Sequence, residues 1–565
     1  MDGDGREDEH TETNPISIDM YSTKENIRQL TSLMVAHGVT EVVISPGSRN
    51  MPLAETFAHC EKLHCHAVTD ERSAGFYALG LAQQKESPVA VCVTSGSALL
   101  NLASAVSEAY YQQLPLLVIS ADRPEAWIGQ MDGQTIPQMG SFGSLVKSSV
   151  CLNEPSNDTD RWHNNRMINE ALLALQLHHP GPVHINVPIT EPFFDCSATE
   201  LPQERTIQCV TGNETALLEA WRAAHAPMII VGQLSPKSAK EIEPLLERIG
   251  VPVLCESLSN LHTSTAIHLF DLTLVAKKNL SHLVPDLVIY LGGHIVSKRL
   301  KRWLRNQPPK NLWRISPEGA VQDTFQALTH VIKATPLHFL TLLESHICDS
   351  HRMYFDIWQS EEDSVRQKLC CPKAYAALSV AYKFCEEIPQ GSTLVLANSS
   401  SVRYAQLAQS QPHVNIYCNR GVNGIDGSLS SAVGIAAADT NRPVYLLIGD
   451  LSFFYDMNGL WNTHLPHNLH ILLINNGGGE IFRTLPGLPD NPSTRTFVMA
   501  SHGATAKGWV ESMQCRYVSV KNAEEYQQNL NQFIQYQGER PIVMEVFTDP
   551  FQDEEAQKSL YRQFE

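Results

Sequence analysis

Residues 443–452 read PVYLLI-GDLS, and residues 469–479 read LHILLI-NNGGG. Each begins as a six-residue run that is apolar apart from His470 and shows no polar alternation, the pattern of a strand buried on both faces of a parallel sheet. Each run then breaks into polar and glycine residues: Gly449-Asp450-Leu451-Ser452 after the first, Asn475-Asn476-Gly477-Gly478-Gly479 after the second. In a parallel sheet both breaks emerge at the same carboxyl edge, where ligands sit. A carboxylate and a carboxamide there offer hard oxygens to Mg²⁺, which shares its six oxygens with phosphates and water. The glycines let backbone carbonyl and N–H groups come close to a diphosphate. Either piece alone reads as an ordinary strand-end turn. Their order on successive strands points to a metal–diphosphate site.

The same alternation extends in both directions. Towards the N-terminus lie the strand-like runs Glu41–Ser45, Leu63–Val68, Val89–Thr94, Pro115–Ser120 and Gly181–Ile189, with helices expected over 71–85 and 97–113. Ser22-x-x-Glu25 reads as a capping box opening a helix that Gly38 ends. A looser stretch covers 190–214. Strand signals resume at Pro227–Gly232, Val251–Cys255, Pro285–Gly292 and Trp313–Ser316. A second break falls near 345–370, before Ser392–Ala397, Val414–Cys418, the two opening strands and Pro541–Phe547. Strands separated by helices predict an α/β protein of three successive doubly wound parallel-sheet domains. The expected bounds are an acidic disordered tail over 1–19 and domains over 20–195, 215–345 and 370–550.

Net charge is −18 over 565 residues. That argues against nucleic acid and anionic membranes as partners. The charge is concentrated at the ends: residues 1–19 carry seven acids against Arg6, and 549–565 carry five against Lys558 and Arg562. The N-terminus lacks the apolar core of a secretion signal and the basic make-up of a transit peptide. The 13 cysteines are scattered without a Cys-x-x-Cys pair, which fits reduced thiols and a cytoplasmic protein. Cys60, His64, Cys65 and His66 have the look of a zinc cluster. They fall on and beside a strand, however, whose successive side chains point to opposite faces, so zinc is not expected there. The P-loop, the dinucleotide fingerprint, H-E-x-x-H and the G-x-S-x-G elbow are absent.

The pair Gly449-Asp450 and Asn475-Asn476 resembles the signature of the thiamine-diphosphate (ThDP) enzymes, with Leu451 where that signature has a third-position glycine. The three-domain order is similar to their decarboxylase-like branch, built from a pyrimidine-binding, a central and a diphosphate-binding domain. The resemblance implies ThDP with Mg²⁺ (or Mn²⁺), the metal held by Asp450, the Asn476 side chain and the Gly478 carbonyl. Thr94, Ser95, Gly96, Ile425, Gly449, Leu451, Ser452, Gly479 and Ile481 would line the cofactor, Ile425 as the apolar wedge that keeps it bent. Glu71 would be catalytic. A carboxyl bonded to the pyrimidine ring nitrogen favours the imino tautomer that removes the thiazolium C2 proton, and it works best partly desolvated.

Finer motifs resemble the menaquinone-pathway members of this branch. They are Ser45-Pro46-Gly47-Ser48-Arg49, Asp70-Glu71-Arg72-Ser73-Ala74, Ala121-Asp122-Arg123-Pro124, Gln134-Thr135-Ile136, Ser297-Lys298-Arg299-Leu300, Asn398-Ser399 with Arg403, Asn419-Arg420-Gly421 and Gly424-Ile425-Asp426-Gly427. That resemblance implies a transferase that decarboxylates 2-oxoglutarate and adds the succinyl-carbanion equivalent to isochorismate. Both substrates are dicarboxylates, so the site needs cations, Arg above all for its bidentate fork. Arg49, Arg123, Lys298, Arg299, Arg403 and Arg420 would surround one pocket. Ser48, Gln134 and Ser399 would be hydrogen-bond partners, and Ile481 and Phe482 apolar lining. The family also implies a homodimer or homotetramer with active sites between subunits. The alternative is another ThDP 2-oxoacid carboligase, such as an acetolactate-synthase relative.

Overall fold

The computed structural model describes residues 21–564 apart from 177–178, 205, 207–214, 277–279, 319–321, 323, 371, 409–412 and 485–486. The acidic tail lies outside the described residues. Three six-stranded sheets follow one another, and every strand pair in them is parallel. The first holds β1 (Glu41–Ile44), β2 (His64–Ala67), β3 (Val89–Val93), β4 (Leu116–Asp122), β5 (Ser149–Cys151) and β6 (Val183–Pro188). The second holds β7 (Pro227–Val231), β8 (Val253–Cys255), β9 (Ala266–Ile267), β10 (Leu287–Leu291), β11 (Asn311–Ile315) and β12 (His330–Ile332). The third holds β13 (Thr393–Leu396), β14 (Asn415–Cys418), β15 (Val444–Gly449), β16 (Leu469–Asn475), β17 (Arg516–Val520) and β18 (Ile542–Phe547).

The first sheet is ordered β2-β1-β3-β4-β6-β5 and the third β14-β13-β15-β16-β18-β17, one topology used twice. Its order reverses between β1 and β3, and again between β13 and β15. Those are the switch points where crevices open at the carboxyl edge. The second sheet, β12-β11-β10-β7-β8-β9, is wound differently.

The predicted strands are all present. The four that sequence reading missed, β5, β9, β12 and β17, each lie at a sheet edge. An edge strand pairs on one side only and needs no continuous apolar run, so Ser149–Cys151 and Arg516–Val520 carry mixed residues. Three further expectations need correction. The capping box does not form. The first helix starts at Glu25 with no side-chain cap, Ser22 Oγ accepts from the Lys24 N–H, and Glu25 pairs with Arg161 instead. The stretch 345–370 is no break. It carries the helix Asp349–Lys368, whose Tyr354, Phe355 and Trp358 pack under the second sheet. The chain also continues past residue 550 as the helix Pro550–Arg562, whose Leu560 enters the third domain's core.

One hydrophobic core is shared between the first and third domains. It forms where the helix Glu71–Lys85 crosses the helix Ser428–Ala438, backbone against backbone. A Cβ placed on Gly80 would lie 2.2 Å from the Ser431 carbonyl oxygen, and one on Gly434 2.2 Å from that of Tyr77. No helix among the described residues is long and apolar enough to cross a membrane. Every described cysteine is a free thiol.

Candidate active site

The two opening strands emerge side by side. β15 pairs with β16 up to Gly449↔Ile474, which sets Asp450 against the Asn475–Gly479 turn. Asp450 is buried. Its Oδ2 accepts the backbone N–H groups of Asn476 (3.1 Å), Gly477 (2.8 Å) and Gly478 (3.0 Å), and its Oδ1 accepts that of Leu451 (2.6 Å). Burial pushes its carboxyl above the usual range, opposed by those N–H donors and by His502. The Asn476 amide nitrogen donates to Asp553 (2.9 Å), which leaves its carbonyl oxygen as the free end of the side chain. A carboxylate, a carboxamide oxygen and a glycine carbonyl are the hard oxygens Mg²⁺ takes, so these residues fit the ion. Gly478 has φ +148°, and a Cβ there would sit 2.8 Å from the Met499 oxygen, so only glycine fits. A Cβ on Gly449 would meet open space, and a phosphate can approach there. Ser452 Oγ donates to the Ile425 carbonyl (2.8 Å), tying that loop to the edge. Ile481 and Phe482 stand half-buried on the short turn Glu480–Thr484 just beyond, with the Phe482 ring against Gly479.

His502 is a residue that sequence reading missed. Its Nδ1 accepts the Ala504 N–H (3.1 Å), so its Nε2 carries the proton and faces Asp450 Oδ2 at 3.4 Å.

On the first domain's edge, β2 leads through Val68-Thr69-Asp70 into the helix that begins at Glu71. Asp70 caps the helix by accepting from the Ser73 N–H (2.8 Å), and its other oxygen accepts from Asn458 (3.1 Å). Glu71 is half-buried and accepts from Asn101 (3.2 Å). Thr94 and Ser95 are buried at the end of β3, and the turn holding Ser48 closes over Thr94 so tightly that a Cβ on Gly47 would lie 2.4 Å from it. Gly96, at φ +87°, packs on the Gln134 backbone. Gln138, also missed, joins these strand ends: its amide accepts from the Gly96 N–H (2.7 Å) and donates to the Ala121 carbonyl (3.1 Å) and to Asn186 (2.7 Å). Gln134 and Ser399 hold left-handed backbone, at φ +57° and +72°. Such strain in non-glycine residues collects at functional sites.

The six predicted cations form two groups, not one pocket within the chain. Arg49 and Arg123 flank Asp122. Arg49 is committed to the Ile189 carbonyl (3.1 Å) and Glu191 (2.8 Å), and Arg123 to Ser95 (3.2 Å) and Asp132 (2.5 Å). The other four line the junction of the second and third domains. Arg420 is buried and bonds Asn398 (2.8 Å), leaving its Nε without a partner. Arg403 donates to the Ser399 carbonyl, and burial together with Arg420 lowers its basicity. Arg299 pairs with Asp271 and stacks over Tyr561, and Lys298 is exposed at the start of its helix.

Glu256, directly after β8, organises this second group. Its two oxygens accept the backbone N–H groups of Val296 (2.7 Å) and Ser297 (2.6 Å), the residues leading into Lys298 and Arg299. Burial pushes its carboxyl up from 4.5 to about 7, opposed by those donors and by Arg420. Between those values the folded chain holds a proton that the unfolded chain has lost. The associated stability is therefore full below about pH 4.5 and is lost as pH rises towards 7. Over the whole window this amounts to roughly 3 kcal/mol. Glu256→Gln should flatten that slope, so that denaturation midpoints measured at mildly acidic and mildly alkaline pH lie closer together than in the parent. An identical slope would show that Glu256 does not titrate there.

Three family models match the chain in order: the N-terminal TPP binding domain of thiamine pyrophosphate enzymes at 27–141, their middle domain at 200–396 and their C-terminal TPP binding domain at 398–546. The chain belongs to the thiamine pyrophosphate enzyme family, and ThDP (thiamine pyrophosphate) is its cofactor. Among its relatives, proteins named 2-succinyl-5-enolpyruvyl-6-hydroxy-3-cyclohexene-1-carboxylate (SEPHCHC) synthase stand out. The one from Phocaeicola vulgatus is 45% identical over 556 residues, covering 96% of this chain and 99% of the relative. Those from Bacteroides thetaiotaomicron and Flavobacterium johnsoniae are 44% and 37% identical, covering 96% and 94% of this chain and 99% and 97% of the relatives.

Proposed function

We propose that this chain is a cytoplasmic SEPHCHC synthase. It decarboxylates 2-oxoglutarate and adds the remaining succinyl unit to the alkene of isochorismate, with Mg²⁺ (or Mn²⁺) beside the cofactor. The observation that carries this reading is the cationic group around Glu256 and Tyr561, set at the same edges that hold Asn398-Ser399 and Asn419-Arg420. Two dicarboxylate substrates need such a group, and a pyruvate-using carboligase does not.

When bound, ThDP would supply the nucleophilic carbon and the electron sink that decarboxylation needs. The chain's residues do the rest. Glu71 holds a proton at the pyrimidine ring nitrogen. Asp450, the Asn476 side chain and the Gly478 carbonyl would hold the metal beside the diphosphate. Thr94, Ser95, Gly96, Gly449, Leu451, Ser452, Gly479 and Ile481 would shape the cofactor's bed, with Ile425 as the apolar wedge against it. Arg299, Arg403 and Arg420 with Lys298 take substrate carboxylates, while Ser48, Gln134, Ser399 and Phe482 complete the pocket. Arg49 and Arg123 belong with Glu71 on the first domain's edge. They join the others when a second copy of the chain lays its third domain against that edge, so a homodimer or homotetramer is the working form.

The test supplies ThDP, Mg²⁺, 2-oxoglutarate and isochorismate and follows isochorismate loss by absorbance. Consumption that depends on 2-oxoglutarate is expected. Robust pyruvate turnover with isochorismate untouched would overturn the assignment in favour of an acetolactate-synthase-like carboligase.

A further inference from the structure

Of the residues that resembled a zinc cluster in the sequence, two come together with a third that the spacing did not suggest. β2 is the edge strand of the first sheet and pairs with β1 in the register Glu41↔His64 and Val43↔His66. His64 and His66 are two apart on one strand and so share a face, which is also the face of Glu41 on the neighbouring strand. His64 Nδ1 lies 3.1 Å and His66 Nε2 2.7 Å from the same carboxylate oxygen, Glu41 Oε2. The three candidate ligand atoms all fall within 4.8 Å of one another.

We infer that Glu41, His64 and His66 form a binding site for a zinc-class divalent cation, separate from the site at Asp450. Two imidazole nitrogens and one carboxylate oxygen are the donor set of a three-ligand zinc centre with an open position. Bonds of about 2 Å to a tetrahedral ion set the ligand atoms roughly 3.3 Å apart, so small ring rotations suffice. The outer groups are also in place. Lys85 engages the other carboxylate oxygen, Oε1, and leaves Oε2 for the ion. The Tyr77 hydroxyl lies 3.3 Å from His66 Nδ1 and fixes that ring with Nε2 towards the cluster. Partners of this kind orient ligands and tune their affinity. Access comes from one side: the Glu41 side chain is 5% exposed and that of His66 11%, but that of His64 is 69% exposed. The fourth position therefore opens to water. Mg²⁺ prefers an all-oxygen shell and does not compete for this nitrogen-rich set. Cys65 points to the opposite face and takes no part, as the strand reading required. The ion would clip the edge strand to its neighbour just ahead of the segment that delivers Glu71.

The test uses the full chain loaded with ThDP and excess Mg²⁺, stripped of other metals with a chelator, at about pH 7.5, where imidazole ligands are deprotonated. Zn²⁺ is titrated by equilibrium dialysis with metal analysis, and Co²⁺ serves as a spectroscopic probe. The parent should take up one more Zn²⁺ per chain than His64→Ala and give visible Co²⁺ bands that the variant lacks. In both His64→Ala and His66→Ala the affinity should fall by at least ~10-fold. His64 is exposed, so its removal leaves the fold intact, which circular dichroism checks. Equal zinc uptake and equal Co²⁺ spectra in the parent and His64→Ala would overturn the inference, and would place any bound zinc elsewhere, for instance beside His502.

Discussion

Glu71→Gln is expected to lower kcat by ~10²–10⁴, the usual worth of a positioned proton-transfer group, while leaving ThDP and Mg²⁺ affinity within a few-fold of the parent. The structure separates the two effects. The helix that begins at Glu71 is capped by Asp70, which accepts from the Ser73 N–H, so the amide does not disturb the helix start. Its contact with Asn101 survives, since a carboxamide oxygen accepts as the carboxylate does. In the proposed arrangement the diphosphate end is served by Asp450, Asn476 and Gly478, which lie together on another sheet. In the proposed role, what the substitution removes is the group that would exchange a proton with the pyrimidine ring nitrogen. Steady-state rates at saturating cofactor, with cofactor affinity from fluorescence quenching, give the first comparison. Hydrogen–deuterium exchange at the thiazolium C2 position gives a second, and it should slow in proportion. An unchanged exchange rate would remove Glu71 from the chemistry, even if turnover fell for another reason.

The part of the fold that was legible in the sequence is the part governed by burial on both faces. Central strands such as β15 and β16 need predominantly apolar runs, and those runs are visible even with His470 in the second. Edge strands obey a weaker rule: β2 and β14 still carry a readable pattern, whereas β5, β9, β12 and β17 do not and were missed. The helix Asp349–Lys368 was misread as a break because its aromatic face, with Tyr354 and Trp358, lies among many charged residues, so its mean character looks polar. The capping box failed for a related reason. Ser22 and Glu25 have the right spacing, but Arg161, distant in sequence, competes for the carboxylate.

The site divides along the same line. Residues that sit at strand ends beside glycine, such as Asp450 and Asn476, announce themselves because backbone approach demands a local pattern. Gln138, Glu256 and His502 do not. Each acts through contacts set by tertiary packing: Gln138 bridges three strand ends, Glu256 clamps two amides some forty residues on, and His502 returns to Asp450 after a loop. The sequence reading gathers the six cations around one pocket, but their division into two groups within the chain depends on how the domains meet, which no local motif encodes. Global acidity was equally uninformative about them, because a local field, not the net charge, attracts a dianionic substrate.

Gly434→Ala tests that domain contact most directly. Helix propensity alone favours the change, since alanine in a helix interior is better than glycine by about 1 kcal/mol. Packing opposes it. The new methyl would lie 2.2 Å from the Tyr77 carbonyl oxygen, a backbone atom that cannot rotate away. The helices Glu71–Lys85 and Ser428–Ala438 must then separate by about an ångström across a core that both domains share, so buried apolar contacts loosen all along the crossing. Overpacking of this kind costs ~1–3 kcal/mol and sometimes more. The upper end is expected here because Gly80, opposite Ser431, leaves no slack on the partner helix either. Packing should therefore win, with a net loss of at least ~2 kcal/mol. Gly508, in the helix Lys507–Ser512, is the control: a Cβ there meets nothing within 4 Å, so Gly508→Ala should raise the denaturation midpoint slightly. Opposite signs for the two substitutions are the expected result. Hydrogen exchange should also quicken in both crossing helices of Gly434→Ala, and activity should fall with it, because the same helix pair carries Glu71 at one end. A stabilised Gly434→Ala protein would mean that the first and third domains do not rest on this crossing.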